Sequence, residues 1–159
     1  MSTLLEVEDL RRSFGGGRAL FGAPRPEVRA VDGVSFTLAR GETLGLVGET
    51  GSGKSTLGRL VLRLIEPSAG RVRFEGQDVT AASASALRAL RPRMQMVFQD
   101  PYGSLDPRMT AGAIIAEPML AHGVPRAEAA RRAADMLGRV GLSPAMSARY
   151  PHEFLSLIH

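Results

Sequence analysis

The run Gly48-Glu49-Thr50-Gly51-Ser52-Gly53-Lys54-Ser55 most constrains what this chain can fold into. Glycines at that density do not extend a strand or a helix, so the backbone turns tightly here. Before the run stands an apolar stretch, Thr43 to Val47, which predicts a short strand. After it, Leu57, Leu60, Val61 and Leu64 fall at i, i+3, i+4 and i+7, which predicts a helix from Lys54 to Ile65 with one apolar face. Strand, glycine-rich turn and helix form the context in which a G-x-x-x-x-G-K-[ST] spacing acquires a chemical meaning. Successive backbone N–H groups and the start of a helix dipole converge on one spot, and an anion of several oxygens fits there.

Lys54 is the only lysine; the other nineteen basic side chains are arginine. An ammonium is a compact point charge on a flexible stem and can thread a tight backbone nest, which a planar guanidinium cannot do in the same way. The expected ligand is a nucleoside triphosphate. Gly48, Glu49, Thr50, Gly51, Ser52 and Gly53 would cradle it, and Lys54 would bridge its β- and γ-phosphates. The Ser55 hydroxyl would take a place on Mg²⁺, and Thr56 would contact the α-phosphate.

Composition bounds the alternatives. A chain of 159 residues, 44% apolar, can bury a core of its own. The net charge of +4 comes from scattered arginines, with no basic run interleaved with aromatics, two tyrosines and no tryptophan. That pattern predicts a solvated, slightly basic surface and no nucleic-acid partner. Cysteine is absent, so disulfides and thiolate metal sites are excluded, and a cytosolic setting is expected. Met1 to Leu10 alternates apolar and acidic residues and lacks the basic start of a signal peptide. No apolar run reaches the length of a spanning helix, so any tie to a membrane is expected to go through a partner.

Along the chain, Leu4 to Leu10 predicts an edge strand, Gly15 to Pro26 a surface loop and Val34 to Leu38 a strand. Arg40-Gly41-Glu42 and Pro67 to Gly70 predict turns, with Val72 and Phe74 on the inner face of the strand after the second. Ala84 to Leu90 predicts a short helix, and Met94 to Phe98 an apolar strand ending at Gln99-Asp100-Pro101. Beyond it the pattern turns helical. Thr110 can cap a helix reaching Leu120 that Pro118 kinks or ends. Pro125 suits a first helical turn. Ala129, Ala130, Ala133, Ala134, Leu137 and Val140 line one face up to a stop at Gly141. His122 and His152 have no ligand-like partners at useful spacing and are expected to be structural or exposed.

By itself Val97-Phe98-Gln99-Asp100-Pro101 reads equally as a strand-end turn or as an amide presented to a metal and its water. Together with the glycine loop and Val31-Asp32-Gly33-Val34-Ser35-Phe36, it resembles the Q-loop of an ABC-type ATPase. The resemblance covers nearly all of Leu4 to Phe154, and Ala30 to Val79, Met94 to Thr110 and Arg149 to Phe154 look like the ATP-binding subunits of bacterial oligopeptide and dipeptide importers. It implies an α/β fold of the P-loop NTPase class with an antiparallel β edge. Residues 1–105 would be the nucleotide-binding core, and 106–154 a partial helical subdomain that contacts the membrane subunits. It further implies ATP and Mg²⁺ as cofactors, Phe14 stacking on adenine, and Gln99 ligating Mg²⁺ beside Ser55. The implied partners are transmembrane permease subunits, a second homologous ATP-binding subunit in a heterodimer and, indirectly, a peptide-binding protein. The implied place is the cytoplasmic face of the inner membrane. An ABC ATPase for nickel or another substrate, and a soluble one working on DNA or ribosomes, stay open as alternatives.

The family pattern has a signature Ser-Gly-Gly-Gln directly after Phe154. Here Leu155-Ser156-Leu157-Ile158-His159 stands instead and is read as an artefactual tail on a truncated chain. The Walker B aspartate, its catalytic glutamate and the switch histidine have no counterparts in the 159 residues. Neither Glu49 nor Asp100 is placed by motif to replace them. The chain is therefore expected to hold ATP without hydrolysing it.

Overall fold

A computed structural model describes residues 2–15, 26–98 and 105–154. The chain divides into two compact units, Met1–Met96 and Val97–His159.

The first unit is built on β1 (Thr3–Phe14), β2 (Val28–Ala39), β3 (Ala69–Phe74) and β4 (Gln77–Asp78), an antiparallel sheet in the order β2-β1-β3-β4. β1 was expected at an edge but lies inside the sheet. It pairs with β2 on one side (Val7 opposite Phe36) and with β3 on the other (Val7 opposite Val72). Its buried residues run Leu5, Val7, Leu10, a change of parity that a plain period of two forbids. A bulge provides it: the register shifts between Val7 and Leu10, and Asp9 takes a left-handed φ of 44° while its N–H donates to Ser35 Oγ at 2.8 Å. At the other end of β3, Glu75 and Gly76 both have positive φ and join β3 to β4 in a two-residue turn of the primed type that suits twisted strands.

α1 (Lys54–Val61) lays Leu57 and Leu60 against Leu10, Val31, Val72, Phe74 and Val79. The helix ends a turn earlier than its periodicity predicts, and Leu64 is exposed. Two arginines tie down the segment that follows. The Arg63 guanidinium donates to the carbonyls of Val79 (3.0 Å) and Ala82, and Arg91 donates to those of Leu62 and Arg63. α2 (Ala84–Leu90) matches its predicted bounds and is capped by Ser83, which accepts from the N–H of Ala86.

Two predicted strands are not formed. Residues 43–47 and 94–98 adopt no regular structure, and Leu44, Leu46, Val47, Val97 and Phe98 are exposed, Val97 at 99%. Near-continuous apolar runs of this kind belong to strands buried on both faces. A strand exists only when a neighbour completes its hydrogen-bond ladder, and none of the four strands pairs with either run.

The second unit packs α3 (Ala111–Ala121) against α4 (Arg126–Arg139), followed by a 3-10 turn at Pro144–Ala148 and the short α5 (Pro151–Phe154). Thr110 caps α3 through the N–H of Ala113 at 3.3 Å, as its position predicts. Pro118 does not end the helix, which continues to Ala121. Both α3 and α4 stop in the same way. The N–H of Val124 donates to the Met119 carbonyl and that of Leu142 to the Leu137 carbonyl, with Gly123 and Gly141 at positive φ between them. Buried Ala116, Ala129 and Ala133 form the contact between the helices, and Ala130 and Val140, expected on that face, are exposed.

Candidate functional site: a glycine nest at the start of a helix

The loop enters α1 through a sequence of constrained turns. The Ser52 N–H donates to the Glu49 carbonyl at 3.2 Å, and Gly53 then sits at φ 90°, ψ 2° immediately before the helix. A Cβ on Gly53 would lie 2.1 Å from the carbonyl oxygen of Ala30, so the loop rests directly on β2. Both the dihedral and the close approach demand glycine. The first helical bond is from the Leu57 N–H to the Gly53 carbonyl at 2.8 Å. The N–H groups of Lys54, Ser55 and Thr56 therefore precede any helical acceptor and carry the positive end of the helix dipole.

Lys54 is folded back into the loop it terminates. Its ammonium donates to the carbonyls of Gly48 (2.7 Å) and Glu49 (2.6 Å) and to Ser52 Oγ (3.2 Å). These contacts match the three donors of an ammonium and hold the nest shut around its own cation. Phosphate oxygens entering the loop would compete with neutral carbonyls for that cation, and a charged acceptor makes the stronger bond. Ser55 stands exposed beside it and Thr56 is half-buried. Glu49, Thr50 and Gly51 are open to solvent.

A cleft of about 260 Å³ opens beside the loop, lined by Ala30, Val31, Asp32, Leu46, Gly53 and Lys54 among others. Asp32 brings a carboxylate to it, paired with Arg11 and, at 3.4 Å, with Arg29. Asp32 was visible upstream of the loop, but its place in the cleft could not be read from sequence, because the seating of the loop on β2 at Gly53 and Ala30 creates it. Phe14, at the end of β1, pairs with Val28, two residues before Ala30. Phe14 is 41% exposed, and the Arg12 guanidinium carbon lies 4.8 Å from the ring centroid. The predicted Gln99 and the tail 155–159 lie outside the described residues.

Among the described residues no group of three or more His, Cys, Asp or Glu could hold a metal ion. A magnesium ion needs no such cage, because it keeps several waters and takes one or two protein oxygens together with phosphates. The exposed hydroxyl of Ser55 at the mouth of the nest is an oxygen of that kind. His122 and His152, expected to be structural or exposed, are both exposed: His122 follows the last turn of α3, and His152 stacks on Tyr150 with ring centroids 5.8 Å apart. No described helix is long and apolar enough to cross a membrane.

The family model for ABC transporters matches residues 31–157, from β2 through the loop and both helical segments. This chain belongs to the ABC transporter family. Among curated relatives, the oligopeptide transport ATP-binding protein AppF of Bacillus subtilis is 47% identical over 154 residues, covering 96% of this chain and 47% of the relative. The glutathione import ATP-binding protein GsiA of Salmonella paratyphi A is 50% identical over 152 residues, covering 95% of this chain and 24% of that one. The chain thus spans about half or less of the length of these relatives. Among solved structures, the ATP-binding cassette MJ0796, a dimer in a post-hydrolysis state bound to ADP and Pi, matches with a TM-score of 0.75 at 20% identity. The match covers 94% of this chain and 62% of that cassette. That likeness establishes the α/β fold of an ABC ATPase cassette, of which this chain covers a part.

Proposed function

We propose that this chain is the nucleotide-binding portion of the ATP-binding subunit of a peptide importer, and that its loop holds ATP with Mg²⁺. One observation carries the reading: a glycine nest at the positive end of α1, closed around a single ammonium that a phosphate chain would draw outward. Gly48 to Gly53 would wrap the phosphates, Lys54 would reach the terminal ones, Ser55 would bind Mg²⁺ and Thr56 the α-phosphate. Phe14 would stack on adenine and Gln99 would complete the metal's shell. The oligopeptide and glutathione importers among the relatives support a peptide as cargo.

The partners would be permease subunits in the inner membrane, a second ATP-binding subunit and a binding protein that delivers the peptide, with this chain on the cytoplasmic face; the transport and import systems named for the relatives support this. The helical part, about residues 106–154, would meet the permease. An apolar groove of about 280 Å³ lined by Ile114, Ile115, Leu137, Pro151 and Phe154 supports this. The dimeric state of the MJ0796 cassette supports a paired arrangement. Among the described residues that line the cleft, the one carboxylate, Asp32, is engaged by two arginines, so the 159 residues would bind ATP without splitting it.

Calorimetric titration of the purified chain with Mg·ATP tests the reading. Lys54→Ala should weaken binding by about tenfold or more, the worth of a charge-assisted contact to phosphate. Equal affinities would show that the loop does not work as a triphosphate site.

A further inference from the structure

Arg12 is one residue of this neighbourhood that no part of the loop chemistry uses. Its side chain lies on the same face of β1 as Phe14, two residues on. Nη1 donates to the Glu66 carbonyl at 2.7 Å, and its guanidinium carbon stands 4.8 Å from the centre of the Phe14 ring. Its Nε–H is buried without a hydrogen-bond partner among the described residues. An arginine free to choose its rotamer on an open surface would put that N–H in water. It is held instead between a fixed carbonyl and an aromatic face.

Phe14 itself is an unusual surface aromatic. Its backbone pairs with Val28, about 7 Å along β2 from the Ala30 carbonyl on which the phosphate loop rests. The next residue, Gly15, is pinned: a Cβ there would lie 2.5 Å from the Pro26 carbonyl oxygen. A cation stands over one side of the ring, and the residue as a whole is still 41% exposed. It is within reach of the nucleoside end of a nucleotide whose phosphates lie in the nest.

We propose that Arg12 is a positioning residue for base recognition: anchored on the Glu66 carbonyl, it holds the Phe14 ring from one side so that the other side receives a planar purine. The proposal rests on the reading of the loop as a nucleotide site and of Phe14 as its base platform. A ring already fixed loses less side-chain freedom on stacking, and a cation beneath it adds an electrostatic hold on its orientation. Arg12 therefore acts through Phe14 and touches neither phosphate nor metal.

The test separates base from phosphate. The full chain and its variants are titrated with Mg·ATP and with magnesium tripolyphosphate, which offers the loop its charge without a base. Far-UV circular dichroism checks that each variant is folded. Arg12→Gln should lower ATP affinity about three- to fivefold and leave tripolyphosphate affinity within about twofold. Arg12→Lys, which keeps a cation over the ring, should recover part of the loss. Phe14→Ala should show the same selective loss, and larger. If Arg12→Gln fails to fold, Arg12→Met preserves the apolar stem without the charge and takes its place. A selective loss in Phe14→Ala with none at Arg12 overturns the inference and leaves the platform standing. Parallel loss of ATP and tripolyphosphate at Arg12 also overturns it, since the residue would then serve only the fold. No selective loss at Phe14 removes the platform, and the inference with it. Equal binding by Lys54→Ala would show instead that the loop reading itself is wrong.

Discussion

Gly53 shows how much one absent methyl group decides. It occupies a left-handed dihedral and faces the Ala30 carbonyl at a distance no Cβ could share. A substitution must therefore relieve two faults at once by moving the loop off β2. We expect Gly53→Ala to lower the stability of the first unit by about 2 kcal/mol or more, read as a lower urea midpoint at unchanged slope. It should also abolish nucleotide binding, because the displaced N–H groups no longer converge. A variant that unfolds at the wild-type midpoint would show that the loop does not lean on β2. Lys54 teaches the complementary lesson: the motif identifies the cation, while its carbonyl partners are known only from the fold.

At the scale of elements, stop and start signals were the most legible. Thr110 and Gly141 were read from sequence, and they, like Ser83 and Gly123, which were not, act locally through hydrogen bonds to backbone groups a few residues away. Pro118 was expected to kink or end the helix; it does not end it, because the packing of α3 on α4 outweighs one lost hydrogen bond. α4 carries a pH-sensitive feature in its first turn. Hydrogen bonds from Arg131 and then Arg132 hold the Glu128 carboxyl below the usual carboxylate range. A lowered pKa means the contribution is present above the unfolded carboxyl's value and is lost as pH falls through the folded one. The wild-type chain should therefore lead Glu128→Gln in the thermal unfolding of its helices at neutral pH, and the lead should shrink as the pH falls below the usual carboxylate range. A lead that persists in acid would mean that charge plays no part. The effect should be small, because the side chains are at the surface.

For the molecule as a whole, the sheet and the two unformed strands make opposite predictions for amide exchange. The amides of β1 that pair with β2 and β3 should be the slowest, since opening them costs the core around Leu10, Leu60 and Val72. Those of 43–47 and 94–98 should exchange at nearly the rate of an open chain. Strong protection in either run would show that it pairs after all, with another copy or another part of the fold. Mass spectrometry of peptic fragments resolves these segments.

The division between what could be read and what could not follows from range. The sequence alone determined the loop, its lysine, the helix that follows it and the family the whole resembles, because a phosphate nest depends on residues that are neighbours in the chain. It also determined the caps at Thr110 and Gly141, for the same reason. Only the tertiary structure decided that β1 lies inside the sheet and that a bulge at Asp9 turns Leu10 inward. It alone placed Arg12 over Phe14 and left the runs at 43–47 and 94–98 without strand partners. Each of these depends on which backbone lies alongside which. An apolar run states a readiness to pair; the partner that makes it a strand is supplied by the fold.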